Sequence, residues 1–105
     1  MSQFDVHRNI GARRQTTPYV VVIQSRRFDR SRNRVVIPMV DKSAEPPIDP
    51  QLNSSFEIDG RSVVLHPLQT VTVSADQLGE KVCSLADDSD RIIAAIDLLI
   101  SRAWG

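Results

Sequence analysis

The sequence holds few of the residues that usually advertise chemistry. Of its 105 residues only one is cysteine, Cys83, so neither an internal disulfide nor a multi-cysteine zinc site can form. There are four glycines, and they are dispersed, which excludes a glycine-rich phosphate cradle. Aromatic residues make up 5% of the chain and do not interleave with its arginines, so a base-stacking platform for nucleic acid is absent. No apolar run exceeds five residues, as at 19–23, whereas a membrane-spanning helix needs about twenty. The start, Met1-Ser2-Gln3-Phe4-Asp5, lacks the basic-then-apolar order of a secretory signal. These absences lead us to expect one cytoplasmic domain over 1–105, with no membrane contact and no cofactor.

What is present is ordinary for a folded protein: 41% hydrophobic and 25% charged residues, enough for one modest core. Thirteen basic and thirteen acidic residues cancel, but unevenly. Residues 1–34 carry eight arginines and two acids, and residues 35–105 carry five basic and eleven acidic residues. The basic block reads as solvated loops or as a surface for an acidic protein partner more readily than as a nucleic-acid site.

Apolar patterning places strands first and a helix last. Phe4 and Val6 alternate with polar neighbours and predict a short first strand, followed by a polar hairpin loop over 11–17. The β-branched run 19–25 reads as a central strand buried on both faces. Residues 34–40 predict another strand, in which Pro38 demands a bulge or an edge. Residues 41–55, with three prolines, read as an irregular loop. Asp59-Gly60 between alternating segments is a hairpin signal, and 70–74 alternates as a strand with one wet face. Residues 76–82 predict a turn or short helix. The spacing of Ile92, Ile96, Leu99, Ile100 and Ala103 predicts a closing amphipathic helix with Asp87 or Asp88 as its N-cap. The fold class is therefore mainly β with a C-terminal α-helix.

Catalytic candidates are sparse. Nothing ties His7 to His66, which read as surface strand histidines, and Cys83 has no activating neighbours and reads as a small buried apolar residue. Asp87, Asp88 and Asp90 lack the glycine and distal glutamate of a calcium loop. We expect a protein that works by binding and is not an enzyme. Trp104, the single tryptophan, suits either a core lid or an interface anchor.

The ordered set Met1-Ser2-Gln3-Phe4-x-Val6, Val22-Ile23-Gln24-Ser25, Arg34-Val35-Val36-Ile37-Pro38-Met39, Val71-Thr72-Val73-Ser74, Leu78-Gly79-Glu80-x-Val82, Ala95-Ile96-x-Leu98 and the final Trp104-Gly105 resembles the CcdB family of bacterial toxins. The resemblance implies an SH3-like β-barrel of the CcdB/MazF toxin type, built from an antiparallel sheet plus a small extra sheet, in a homodimer. It implies the toxin of a type II toxin–antitoxin module that binds the DNA gyrase A subunit and traps the cleaved gyrase–DNA complex. A cognate CcdA-like antitoxin would neutralise it through a disordered acidic tail. The pair would repress their own operon, with DNA reached only through the antitoxin.

By position, the resemblance implies a gyrase-binding set of Ser25, Arg27, Phe28, Asp97, Ile100, Trp104 and Gly105. It implies an antitoxin-binding set of Arg8, Arg13, Arg14, Asp41, Lys42 and Ser43. Against the typical member, Arg27 replaces an apolar side chain, Val22 replaces an acidic one, and Trp104 falls three positions after the family's Trp position, Ser101 here. Two alternatives stay open: a ribonuclease toxin on the same barrel, motivated by the arginine block, and a non-toxic chromosomal homologue that dimerises and binds antitoxin only.

Overall fold

A computed structural model describes residues 2–101. It contains strands β1 (Asp5–Asn9), β2 (Tyr19–Val22), β3 (Asn33–Asp41), β4 (Ser55–Ile58), β5 (Arg61–Leu65), β6 (Val71–Ser74) and β7 (Leu78–Ser84), then helix α1 (Ser89–Ser101). The strands form one antiparallel sheet in the order β4-β5-β3-β2-β1-β7, with β6 also paired to β3. The small extra sheet expected from the family resemblance is thus not separate. The β4–β5 hairpin hydrogen-bonds to β3 through Met39–Leu65, Val40–Val64 and Asp41–Val63, so the described strands make a single curled half-barrel.

The long strand β3 explains the curl. Along one side it pairs with β2; along the other it changes partner, from β6 at Asn33–Val36 to β5 at Met39–Asp41. Pro38 sits in the gap between those partners. Its carbonyl accepts from His66 N at 3.0 Å, so its backbone faces the side where the partner switches, and the missing N–H costs no ladder bond. The proline is accommodated at an interruption, as its chemistry requires.

Strand β2 is buried along its whole length and on both faces, as its unbroken β-branched run predicts. Tyr19 and Val21 face the main core, which holds Val6, Ile37, Met39, Val63 and Leu65 from the sheet and Ile92 and Ala95 from α1. Val20 and Val22 face a second cluster with Val36, Val73 and Leu78. The Asp59-Gly60 hairpin is also as expected. Both residues have positive φ, 53° and 75°, as the primed two-residue turn requires.

Two expectations are corrected. Residues 78–84 form a full strand, and only Ala75–Gln77 make a short 3-10 turn. The register of β1 on β7 shifts between Val6 and His7 and again between His7 and Asn9, so β7 loses strict alternation and its pattern hides from a period-two reading. At the helix, Asp87 and Asp88 stand in a 3-10 lead-in, Ala86–Asp88, and the α-helix starts at Ser89. No helix among the described residues is long and apolar enough to cross a membrane.

At Gly79 the backbone of β7 packs tightly against β1. A Cβ there would lie 2.8 Å from the Arg8 carbonyl oxygen and 2.9 Å from Ile10 Cγ2, and a backbone carbonyl in a ladder cannot move aside cheaply. Gly79→Ala is expected to cost about 1–3 kcal/mol by overpacking, read as a lowered thermal midpoint.

Candidate functional site

The loop between β2 and β3 is held from within. Ser25 Oγ accepts from Arg27 N at 3.2 Å, and Phe28 N donates to Ser25 O at 3.0 Å, closing the 3-10 turn Arg26–Phe28. Gln24 bridges the loop base, its Nε2 donating to Phe28 O at 2.9 Å and its Oε1 accepting from Val35 N at 3.1 Å. Arg34, which the sequence places in a free basic block, is buried. Its guanidinium donates to the carbonyls of Ser31, Asn33 (2.9 Å) and Asp29 (2.7 Å), clamping the loop. The product is a pre-organised tip on which Phe28 is 55% exposed, with the Arg27 guanidinium 5.9 Å from its ring centroid. An exposed aromatic fixed before contact loses little entropy on binding, which is the property of an interface anchor.

Helix α1 supplies a second surface. Ile92 and Ala95 are buried against the sheet, while Ile93, Asp97 and Ile100 lie on the outward face at helical spacing. Ile100 is 66% exposed. The structure therefore presents Ser25, Arg27 and Phe28 on one element and Asp97 and Ile100 on another; Trp104 and Gly105 lie outside the described residues. Asp97 also borders a cleft of about 820 Å³ between α1 and the proline-rich 47–55 loop. On its wall Arg91 stacks over Phe56 at 4.2 Å and donates to Ser55 O at 2.7 Å.

The second expected set is brought together more directly. Asp41 N donates to Thr16 O at 2.8 Å, and Arg61 spans the two segments, Nε to Asp41 Oδ2 at 2.8 Å and Nη2 to Gln15 O at 2.7 Å. The hairpin loop bearing Arg13 and Arg14 thus abuts the turn bearing Asp41, Lys42 and Ser43. Arg14 bonds its own loop at Gly11 O. Arg8 is engaged: it pairs with Glu80 at 2.7 Å and Asp59 at 3.4 Å and lies 5.9 Å from the Tyr19 ring. Glu80 holds the Arg8 guanidinium more firmly protonated than usual. The sequence does not disclose Glu80 and Asp59 as partners, because they are 72 and 51 positions away.

The Asp41 carboxyl is pulled from its ordinary 3.8 to about 2, first by the Ser43 hydroxyl, then by Arg61 and the Ser43 backbone N–H. Because the folded value lies below the unfolded one, its stabilising contribution is complete above pH 3.8 and disappears as pH falls toward 2. The stability gap between the parent and Asp41→Asn is therefore expected to be widest near neutrality and to shrink across that window, measured by urea unfolding at a series of pH values.

The remaining candidates behave as structural residues. His7 and His66 are both buried, contrary to the surface positions expected. His7 Nδ1 is 3.0 Å from the Gly79 carbonyl oxygen. Cys83 is half-buried, and burial, then Asp59 and Asp5, push its thiol up, away from the reactive thiolate. No group of three His, Cys, Asp or Glu side chains among the described residues is placed to hold a metal ion.

A curled antiparallel sheet closed by one C-terminal helix is a fold also found among solved structures. It is similar to a solved structure described as an endoribonuclease in complex with its cognate antitoxin from Mycobacterial species, with a TM-score of 0.72 at 12% identity, covering 100% of this chain and 99% of that one. No curated protein matches the chain in sequence. The family profile described as CcdB protein matches residues 3–101, and the chain belongs to the CcdB family.

Proposed function

We propose that this chain is the toxin of a type II toxin–antitoxin module, acting as a homodimer with an open SH3-like barrel as its core. Its target is the DNA gyrase A subunit, which it engages without making or breaking a covalent bond. Membership of the CcdB family over residues 3–101 carries this reading. The pre-organised Phe28 tip and the outward Ile100 supply the kind of rigid apolar anchors that trap a partner in one conformation. Trp104 and Gly105 complete the target-facing set. The antitoxin is met by the surface on which Arg13 and Arg14 adjoin Lys42, where basic side chains speed capture of an acidic tail. Toxin and antitoxin together repress their operon, the antitoxin holding the DNA.

One observation favours a second reading: the fold matches that of an endoribonuclease. The family match over residues 3–101 is why binding is preferred. Expression in a gyrase-sensitive bacterium separates the two. Trapped gyrase–DNA complexes with intact messenger RNA are expected; cleaved RNA without trapped gyrase would establish the ribonuclease instead. Growth arrest by neither route, with antitoxin binding kept, would make the chain a non-toxic homologue.

A further inference from the structure

The free side of β6 is the least finished part of the sheet. Among the described residues β6 pairs with β3 alone. Ile23 N donates to Val35 O at 3.0 Å, and Val35 N donates to Gln24 Oε1 at 3.1 Å, so both backbone groups of Val35 face β2. Thr72, directly opposite Val35, is then a non-hydrogen-bonded partner, and its N–H and C=O face away from β3. Ser74 N, two residues on, is already taken by Gln77 Oε1 at 2.8 Å. Thr72 is thus the position at which an added strand would find both a donor and an acceptor.

Beside this edge lies a groove of about 380 Å³. Val20, Val36 and Pro38 line it together with Val71 and Val73 of β6 itself, and Val71 is 47% exposed. One charged residue lines it, Arg13, from the β1–β2 hairpin loop. Unlike Arg8, Arg61 and Arg91, Arg13 makes no ion pair among the described residues. One acid, Glu45, reaches the lining, through Gln69 at 3.5 Å.

We propose that the free edge of β6 and this groove are the docking track for an extended acidic segment of the antitoxin, an inference that rests on the toxin reading above. The segment adds as a strand paired at Thr72, lays apolar side chains over Val71 and Val73, and sets a carboxylate on Arg13. Backbone pairing supplies the affinity, and the alternation of apolar and acidic side chains supplies the selectivity. The lone lining charge is what selects an acidic occupant over an uncharged one.

The test is calorimetric titration of the full-length chain with the purified antitoxin encoded beside it. Thr72→Pro removes the outward N–H and no bond to β3, and Arg13→Glu reverses the groove's charge. Each is expected to weaken binding about tenfold or more, whereas Arg30→Glu, an exposed arginine elsewhere in the basic block, costs less than about threefold. All three should melt near the parent, and the two groove variants should remain toxic. If Thr72→Pro fails to fold, Val71→Glu, at an exposed side chain, takes its place with the same expectation. Parent-like affinity in the groove variants overturns the docking track and leaves the toxin reading standing. Absence of any complex with the parent chain overturns both. A Thr72→Pro protein that turns monomeric while binding antitoxin normally shows that the edge serves a second copy, and overturns the track as well.

Discussion

Deleting Trp104 and Gly105 is expected to abolish growth arrest and leave the fold intact. A tryptophan interface anchor carries about 2–4 kcal/mol, so its loss weakens target binding roughly 30- to 1,000-fold. That is enough to release a topoisomerase trapped only by a bound protein. Within the described residues, Ile92 and Ala95 seal α1 to the sheet. The thermal midpoint of the truncated chain should therefore stay within a few degrees of the parent's, and antitoxin should still bind it. A truncated protein as toxic as the parent would place the target-facing surface elsewhere.

The second large effect is on stability. Ile92 is fully buried and joins α1 to the sheet core. Ile92→Ala leaves a cavity under the helix and is expected to cost about 3 kcal/mol. In a domain of this size that corresponds to a midpoint roughly 12–24 °C lower. The loss should extend to toxicity, because Asp97 and Ile100 ride on the same helix. Ile93→Ala, one position along and half exposed, should cost under about 1 kcal/mol because its side chain is already in water. Thermal melts of the two variants side by side read the contrast.

The legible parts of the fold are those governed by neighbours in sequence. Asp59-Gly60 announces its turn because only such residues adopt positive φ at two successive positions without heavy cost. The run from Tyr19 to Val22 announces a strand buried on both faces because it contains no polar residue to turn outward. The helix announces itself by its period, and family resemblance adds what period cannot: the expected placement of a target surface on the loop and the helix end.

What stayed hidden depends on distant contacts. Strand β7 is masked by the bulges it makes against β1, which no local pattern encodes. Arg34 looks like one more surface cation until the fold bends residues 24–33 around it. Arg8 looks available until Asp59 arrives from the β4–β5 turn and Glu80 from β7. The contact between the Arg13 loop and the Asp41 turn is likewise made by Arg61, twenty residues beyond Asp41. In each case the residue type was visible and its partner was not.

These partnerships divide the arginine block by role. Arg34 builds the loop that displays Phe28, Arg8 ties β1 to β7, and Arg13, beside an apolar groove, makes no ion pair among the described residues. A block that looks uniform in sequence thus separates into arginines that hold the fold and arginines that do not.

The central claim is that this chain works by seating itself on gyrase. The most direct measurement is titration of the purified protein into the isolated dimerisation fragment of the gyrase A subunit, with no DNA present. A saturable complex that Phe28→Ser and removal of Trp104-Gly105 each disrupt is the expected result. No heat and no complex at high concentration, from a protein that is folded and still arrests growth, would contradict it.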